Sequence, residues 1–458
     1  MRQARWLLCA VLVGACAFAP AEEAPADRAA VGDGALGDGV LGDDFPSLHL
    51  GEIPFLEREL AGGGAEGDPD SFLGGYDPKN GFHLRNGDDT FRIRFTGRLQ
   101  ARYTYKAMDS RGSEGGGRDL STFELERARF GVRGHVLDSR FTYKIEFEAA
   151  TDASDKGRLT DAYVYIKEIL GEGNKHLNVG VGQWKPPFMR QEKNSSARLQ
   201  FVDRSLTNEF FNIDRNIGVW IDGSRGPLEW AAALTNGFDS VNVNPKNTDH
   251  SPGLIARLDY NILRDGDKNL KFEESDTKHT KSPAWVVGAA FAHDANNGTG
   301  APAPEFKVYT AEIDTTFKYM GMSLQAEYVA RWLKYETAPS NGPAVTVGDT
   351  IFAHGFYAQA GYFLVPSTYE VALRASAIWN DGGVSNGAAV EIGPVFNWFI
   401  SRDHRIKFQI DAAYVDIPDN LQQSTESLYR DRTFSSSALG LAGGDQGVIT
   451  RAQLQFSW

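Results

Sequence analysis

The fold is decided by residues 91–105, FRIRFTGRLQARYTY, in which apolar and polar side chains alternate. Phe91 and Ile93 fall on one parity, and Arg92 and Arg94 fall on the other. Successive side chains of a β-strand point to opposite faces, so this stretch predicts a strand with one apolar and one basic face. The same alternation recurs to the end of the chain, for example in residues 141–148, 309–314, 406–411 and 452–458.

Sixteen such segments follow one another from residue 91 to the last residue. Alternating segments of about ten residues separated by turns are typical of outer-membrane barrels, apolar toward lipid and polar toward the lumen. The sheet must close because lipid cannot satisfy the backbone groups of an open edge. The sequence therefore predicts an all-β fold, a transmembrane antiparallel β-barrel of 16 strands. The predicted strands are 91–105, 123–134, 141–149, 160–168, 177–184, 217–223, 228–235, 253–262, 284–293, 307–319, 322–335, 355–364, 369–379, 388–400, 405–415 and 447–458.

The connections between these strands differ in length. The tight links include 137–140, 320–321 and 401–404, and the long ones include 106–122, 185–216, 336–354 and 416–446. With both ends of the barrel in the periplasm, the short links are periplasmic turns and the long ones are external loops. The link 263–283 is an exception, because it is long on the periplasmic side. Aromatic side chains expected at the lipid boundaries lie near strand ends on the apolar parity: Tyr103, Tyr105, Tyr319, Trp332, Trp398 and Tyr414.

The first 21 residues have the features of a signal peptide. Arg2 and Arg5 precede an apolar stretch that is too short to span a membrane, and residues 19–21 are small enough for cleavage. The alternative is a lipoprotein signal that leaves Cys16 as an acylated N-terminus. Because Cys9 and Cys16 are the only cysteines, cleavage after residue 21 removes disulfides, thiol catalysis and cysteine-bound zinc from consideration.

The negative charge belongs to a segment that precedes the barrel. The formal net charge is −13, and residues 22–90 carry −12 whereas residues 91–458 carry −3. This acidity argues against a nucleic-acid partner. Residues 22–80 are rich in Gly, Ala and Asp and have too few large apolar side chains for a core, which predicts a largely disordered periplasmic tail. A solvated spacer is the favoured role, with calcium binding and cell-wall tethering as alternatives, and residues 81–458 form the barrel domain.

Seven arginines of the first two predicted strands share the lumen-facing parity. In a water-filled channel, a ladder of guanidinium groups attracts anions, repels cations and matches phosphate oxygens. The alternative is that these arginines pair with lumen-facing carboxylates for structure only. Those carboxylates are Glu146, Glu148, Glu312, Asp314, Glu327, Glu370, Glu391 and Asp411. The predicted anion ladder consists of Arg92, Arg94, Arg98, Arg102, Arg127, Arg129 and Arg133.

The third external connection, from Lys185 to Asn216, is the second candidate site. A long third loop that folds into a barrel of this size narrows the pore, so its charges act on solutes at close range. An exposed surface loop is the alternative. The basic residues predicted at the constriction are Lys185, Arg190, Lys193, Arg198 and Arg204.

A succession of short motifs resembles the phosphate-selective porin O and P family. The motifs are GRLQ (97–100), ERARFGVRG (126–134), FTYKIEF (141–147), LTDAYV (159–164), VGQWKPPF (181–188), DRSL (203–206), DRNIGV (214–219), FYAQAGYFL (356–364) and FSW (456–458). The resemblance implies a sixteen-stranded outer-membrane channel, a homotrimer, that selects phosphate or polyphosphate through lumen arginines and basic residues of the third loop. Arg127 and Arg129 match the family's arginine motif, and Glu126 stands where members usually carry another arginine. The closing Leu454, Phe456 and Trp458 resemble the recognition sequence of the barrel-assembly machinery.

The sequence therefore predicts an outer-membrane porin for passive diffusion of small anions such as phosphate. A general small-solute porin and an envelope-structural barrel with a periplasmic tether are the alternatives. No metal-ligand spacing joins the nine histidines, and no motif supports a lipid hydrolase. We expect no enzyme activity, no cofactor and no metal, and we expect outer-membrane lipids to surround the chain.

Overall fold

A computed structural model gives the structure of the chain. It describes residues 71–77, 81–110, 118–150, 157–171, 176–238, 251–263, 273–296, 305–337, 348, 350–380, 388–418 and 444–458. The predictions of a signal peptide and of most of the acidic tail lie outside these residues. Among the helices of the described part, none is long and apolar enough to cross a membrane.

The described residues form eighteen β-strands and two short helices. The helices α1 (Arg190–Lys193) and α2 (Leu206–Phe211) lie between β7 and β8, with a 3₁₀ turn at Ser196–Arg198. The strands are β1 (Phe72–Asp77), β2 (Gly81–Asn86), β3 (Arg92–Ser110), β4 (Arg118–Val136), β5 (Asp138–Glu148), β6 (Arg158–Ile166), β7 (Asn178–Trp184), β8 (Asn216–Arg225), β9 (Leu228–Thr235), β10 (Gly253–Leu263), β11 (Ala284–Asn296), β12 (Phe306–Tyr319), β13 (Met322–Tyr335), β14 (Thr350–Val365), β15 (Tyr369–Asn380), β16 (Ala388–Phe399), β17 (Ile406–Asp416) and β18 (Asp445–Ser457).

Strands β3 to β18 form a closed barrel. Each pairs antiparallel with the next strand in the chain, and β18 pairs with β3 from Ser457 opposite Arg98 to Asp445 opposite Ser110. Closure leaves no edge for lipid to contact. The predicted antiparallel barrel of 16 strands is confirmed, and each predicted strand overlaps one of these strands.

The two faces of the barrel wall have the chemistry that the alternation predicts. On β3 the outward Leu99 is 42% exposed, whereas the inward neighbours Gln100 and Arg102 are 0% and 5% exposed. A water-soluble protein buries its apolar side chains, but here the large apolar side chains are exposed and the charged ones are buried. This arrangement fits lipid outside and a polar lumen inside. The predicted boundary aromatics Tyr105, Tyr319, Trp332, Trp398 and Tyr414 are exposed on the outer face, and Tyr103 is partly exposed.

A β-bulge interrupts the alternation of β4. Gln100 on β3 lies opposite Arg127, and the next residue, Ala101, lies opposite Leu125, so Glu126 is the extra residue. A bulge lets two consecutive side chains turn toward the same side. Glu126 accordingly reaches the lumen-facing Arg102 at 2.5 Å, although strict alternation would point its side chain toward lipid.

The hairpin β1–β2 extends the periplasmic rim beside the end of the chain. His83 of β2 lies opposite Arg94 of β3, on the edge that β18 leaves unpaired. The backbones of Gly97 and Trp458 exchange two hydrogen bonds of 3.1 Å, and a Cβ at Gly97 would lie 2.0 Å from the Trp458 ring. Only glycine leaves room for this indole. Strand β1 lies inside the predicted tail 22–80, so that segment has an ordered strand at its C-terminal end.

Two connections enter the lumen. Loop L3, residues 185–215, joins β7 to β8 on the external side, and most of its side chains are buried. The described part of the long periplasmic link, residues 273–283, also carries buried polar side chains, including Glu274 and Asp276. The tight periplasmic turns are much shorter than these two connections. Met320 and Gly321 both have positive φ, as a two-residue hairpin turn requires.

Candidate functional site: the lumen

Loop L3 crosses the lumen and is fastened to the wall formed by β10 to β13. Arg190 of α1 contacts Asp314 of β12 and bonds to Asp259 of β10 at 2.8 Å, and its side chain is 1% exposed. Glu327 of β13 accepts from the backbone N–H groups of Arg190 at 3.1 Å and Gln191 at 2.6 Å. Arg190 is therefore a buried anchor of the loop rather than a water-facing group.

Three further basic residues predicted at the constriction are engaged within L3 or with the wall. Lys185 bonds to Glu192 at 2.6 Å, and Arg204 bonds to the same carboxylate at 3.0 Å. Lys193 lies 3.6 Å from Asp259. Burial, with the nearby charge of Arg204, lowers the pKa of Lys185 to about 7 despite the Glu192 carboxylate. Burial thus opposes the charge of Lys185, and Glu192 is the carboxylate that favours it.

Arg198 is the predicted loop residue that faces water most openly. Its side chain is 44% exposed, and it bonds to Glu273 of the periplasmic link at 3.1 Å. It follows Ser195 and Ser196, the residues through which L3 contacts Arg98 of β3. Of the five predicted constriction residues, Arg198 therefore has the most exposed side chain, and its charge has a carboxylate partner.

The external half of the arginine ladder is neutralised by carboxylates. Arg102 bonds to Glu124 at 2.7 Å, to Glu126 at 2.5 Å and to Asp203 of L3 at 2.8 Å. Arg127 lies 3.2 Å from Glu126 and 3.4 Å from Asp203. Burial alone would raise the pKa of Asp203, but Arg127 and Arg102 outweigh it and hold this pKa well below its ordinary value. We call Arg102, Arg127, Glu126 and Asp203 the upper cluster.

Two other ladder arginines also pair with carboxylates. Arg129 bonds to Glu148 of β5 at 2.6 Å and lies 3.4 Å from Glu146. Arg92 at the periplasmic rim bonds to Asp89 at 2.6 Å. For four of the seven predicted ladder residues, Arg92, Arg102, Arg127 and Arg129, the structural alternative describes the observed contacts.

The remaining ladder arginines lie in the periplasmic half of the same wall. Arg94 of β3 lies opposite Arg133 of β4, and Arg133 lies opposite Lys144 of β5, so three cations form a row across three strands. Arg98 contacts the hydroxyl of Ser196 and lies 3.4 Å from the Ser195 hydroxyl. We call Arg94, Arg98 and Arg133, together with Arg198 of L3, the lower cluster.

Charge is less compensated in the lower cluster. Within the part of the chain that the structure describes, no carboxylate oxygen lies within 4.0 Å of a side-chain nitrogen of Arg98 or Arg133. The charges of Arg94 and Arg198 act against that of Arg133, and Glu146 acts in its favour from beyond contact distance. Where neighbouring cations repel one another and have no carboxylate in contact, as Arg98 and Arg133 do among the described residues, an anion between them is favoured.

Exposure also separates the two sides of the lumen. Lumen-facing side chains of β10 to β17, such as Asp314 and Asp411, are buried beneath L3. By contrast, Arg94, Arg98 and Lys144 keep part of their surface exposed, and Arg133 is exposed. The water-accessible part of the lumen therefore lies along the periplasmic halves of β3 to β6. No group of His, Cys, Asp or Glu among the described residues could hold a metal ion.

Comparison with known families identifies the chain. The family model of phosphate-selective porin O and P matches residues 93–441, which is most of the chain. The chain belongs to this family. It is a porin of the bacterial outer membrane, and its family and fold are those of a channel rather than an enzyme.

Solved porin structures share the fold of this porin. The anion-selective porin from Comamonas acidovorans is 12% identical and aligns over 80% of this chain and 99% of its own, with a TM-score of 0.51. Salmonella typhi OmpF in complex with daunomycin is 11% identical over 81% and 99% of the two chains, with a TM-score of 0.51. The channel DcaP of Acinetobacter baumannii is 14% identical over 80% and 97%, with a TM-score of 0.50. No curated protein matches the chain.

The lumen of this porin also contains basic residues outside the predicted ladder and constriction. Lys144 follows Tyr143 in the alternating segment 141–148, so the period of two in the sequence already indicates that it faces the lumen. Arg257, Arg374 and Arg451 face the lumen from β10, β15 and β18 and pair with Asp259, Glu391 and Asp411. The hydroxyls of Ser195 and Ser196 carried no signal, because nothing in the sequence brings them to Arg98.

Proposed function

We propose that this porin conducts small inorganic anions by passive diffusion and binds phosphate during passage. The observation that carries the proposal is the lower cluster, in which Arg98 and Arg133 face the lumen without a carboxylate partner in the described part of the chain. A fixed positive potential at a narrow, low-dielectric passage raises the local concentration of anions and excludes cations. The upper cluster adds little, because its carboxylates neutralise its arginines.

Phosphate suits the groups that meet at Arg98. A guanidinium group presents planar N–H donors that match phosphate oxygens, and serine hydroxyls can donate further hydrogen bonds. The Ser195 and Ser196 hydroxyls lie beside Arg98, and Arg198 follows them on the same loop. Phosphate can exchange contacts among these groups as it moves along the wall.

Planar-bilayer recordings test the anion pathway. In a KCl gradient, we expect a zero-current potential of the sign that chloride permeation gives. A zero-current potential that indicates cation preference would overturn the proposal.

Phosphate binding is tested separately by adding phosphate to a chloride current. A binding site in the pore predicts that phosphate blocks chloride conductance at micromolar to millimolar concentration. An unchanged chloride current would leave a general anion porin. Glu126 favours that alternative, because it places a carboxylate where other members usually carry an arginine and pairs with Arg102 and Arg127.

We also propose that the barrel assembles as a homotrimer. Strands β7 and β9 have seven and eight residues, whereas β12 and β13 have fourteen each. A tilted strand needs about 9–11 residues to cross the apolar layer. Because β7 and β9 are shorter than this, we propose that a neighbouring subunit rather than lipid covers the barrel wall at these strands. Cross-linking in detergent is expected to give a band of three chains, and a monomer alone would contradict this proposal.

The precursor in this proposal has a signal peptide at residues 1–21, an acidic periplasmic tail at residues 22–80 and the barrel at residues 81–458. Trp458 directly follows β18, and in this proposal the barrel-assembly machinery recognises it after export. The mass of the protein purified from outer membranes tests the cleavage site. A chain that begins at Glu22 is expected, and an acylated chain that begins at Cys16 would show the lipoprotein route instead.

A further inference from the structure

The periplasmic link between β10 and β11 enters the barrel. Its described residues include Glu274, Ser275 and Asp276, which are 2%, 0% and 1% exposed. Such burial is unusual for three consecutive polar residues of a turn, because connecting segments normally keep their polar groups in water. The link therefore has partners inside the lumen.

One set of contacts fastens the link to the barrel wall. Asp276 accepts from the backbone N–H of Gly321 at 2.8 Å, and Lys318 donates to the carbonyl of Ser275 at 3.1 Å. The Ser275 hydroxyl donates to Glu370 at 2.8 Å. These contacts join the link to the periplasmic ends of β12, β13 and β15, so its position inside the barrel is fixed.

A second set of contacts joins the link to L3 through one carboxylate. Glu274 accepts from the backbone N–H of Gln200 at 2.7 Å and from the side-chain amides of Gln191 at 3.2 Å and Asn194 at 3.4 Å. The backbone N–H of Glu274 donates to the carbonyl of Arg198 at 3.2 Å. The link thus holds the segment of L3 that carries Ser195, Ser196 and Arg198.

The ligands of Glu274 are neutral donors. Gln359 of β14 supplies a further amide at 2.9 Å, and among the described residues no cation lies within 4.0 Å of the carboxylate. Lys407, whose ammonium donates to the carbonyl of Leu199, acts on Glu274 from beyond this distance. With no cation in direct contact, hydrogen bonds from neutral donors must replace the water around the buried carboxylate. These bonds have strict distance requirements, so the carboxylate fixes the relative position of L3, the link and β14.

We propose that residues 273–280 are a periplasmic latch that positions L3, with Glu274 as the positioning residue, and that the latch sets the conductance of the pore. Glu274 does not contact the solute, and it acts through the loop that narrows the lumen. The latch would position L3 in the same way if the pore had no preference for anions. It is therefore independent of the proposed anion selectivity.

Three substitutions at one position separate the reach of the side chain from its charge. Glu274→Ala removes the carboxylate, Glu274→Asp keeps the charge but shortens the side chain by one methylene group, and Glu274→Gln keeps the length and one acceptor. We expect both Ala and Asp to raise open-channel current noise about twofold and to change the single-channel conductance, with Gln intermediate. Asp138→Ala is the matched control, because it removes an exposed carboxylate at the periplasmic start of β5, where it bonds to Arg140.

The results distinguish positioning from electrostatics. If Asp keeps wild-type conductance and noise while Ala and Gln change them, Glu274 acts as a charge and the latch is overturned. Wild-type behaviour of all three variants also overturns it. Folding is checked by the faster migration of the unheated barrel in SDS gels. If the Ala variant does not fold, Asp decides alone, and a zero-current potential recorded on the same channels reports separately on anion selectivity.

Discussion

The upper and lower clusters lie on the same two strands and contain the same type of residue, but their charges have different partners. In the upper cluster, Arg102 and Arg127 share the carboxylate of Asp203, which L3 carries into the lumen. In the lower cluster, L3 presents the hydroxyls of Ser195 and Ser196 to Arg98 instead. For these arginines, what L3 places beside them decides whether a carboxylate or a neutral hydroxyl meets the guanidinium group.

The bulge at Glu126 strengthens this difference. It turns one more carboxylate toward Arg102 and Arg127, so the upper cluster has its negative charges both on the wall and on the loop. A buried ion-pair network of this kind resists the loss of any member, because an unpaired buried charge is costly. We expect variants of the upper cluster to lose stability and variants of the lower cluster to lose selectivity.

The largest effect is expected for Asp203→Ala in the upper cluster. This change leaves Arg127 with Glu126 as its remaining close carboxylate in the described structure and should lower the free energy of unfolding by about 3–5 kcal/mol. Urea unfolding in lipid vesicles measures this loss. The exposed pair removed by Asp138→Ala should cost less than about 1 kcal/mol. Equal losses in the two variants would show that the upper cluster does not hold L3.

The next effect is the contribution of Lys185 of L3 to the pH dependence of stability. Because burial and Arg204 lower the pKa of Lys185 to about 7, the folded chain binds fewer protons than the unfolded chain above this pH, and stability rises with pH. Lys185→Met should remove a rise of about 1–3 kcal/mol between about pH 6 and pH 9. Urea midpoints at the two pH values measure it. Lys281 is exposed, so the control variant Lys281→Met should keep the wild-type pH profile. A wild-type pH profile in Lys185→Met would contradict the prediction.

A smaller effect is expected for Arg98→Ala in the lower cluster. Loss of one charge-assisted set of hydrogen bonds should weaken phosphate block of the chloride current about tenfold. Stability should change little, since Arg98 has no close carboxylate partner among the described residues. Arg140→Ala, at the periplasmic start of β5, serves as the control. An unchanged block in Arg98→Ala would remove Arg98 from the phosphate site.

The smallest effect is expected for Arg133→Gln. Arg133 is exposed to water, so its charge acts through a screened field rather than through a fixed contact. We expect the ratio of anion to cation permeability to fall about twofold in dilute KCl and less in concentrated KCl. Reversal potentials at several salt concentrations measure this trend. A ratio that does not depend on salt would mean that Arg133 is outside the ion path.

Much of the barrel could be predicted from the sequence because strand alternation is a local property. The strand that begins at Arg92, the lumen face of Arg98 and the outward face of Leu99 all follow from a period of two. The pairing of the ladder could not be predicted in the same way. Asp203 reaches Arg102 across 101 residues, and the bulge at Glu126 depends on the register between β3 and β4.

The inner connections were also beyond local patterns. The length of the link 263–283 indicated an irregularity, but its entry into the lumen depends on distant partners such as Gly321 and Gln200 of L3. Strand β1 falls inside the predicted tail, because residues 22–80 as a whole are rich in Gly, Ala and Asp and have few large apolar side chains. Its pairing with β2 supplies the order that its own residues do not.

The difference between the upper and lower clusters is tested most directly by the zero-current potential of the triple variant R94A/R98A/R133A in a KCl gradient. The variant removes the lower cluster's strand arginines and leaves Asp203 and its partners intact. We predict that the wild-type porin prefers chloride and that the triple variant loses this preference while its barrel remains folded. A triple variant that folds and keeps the wild-type anion preference would contradict the account.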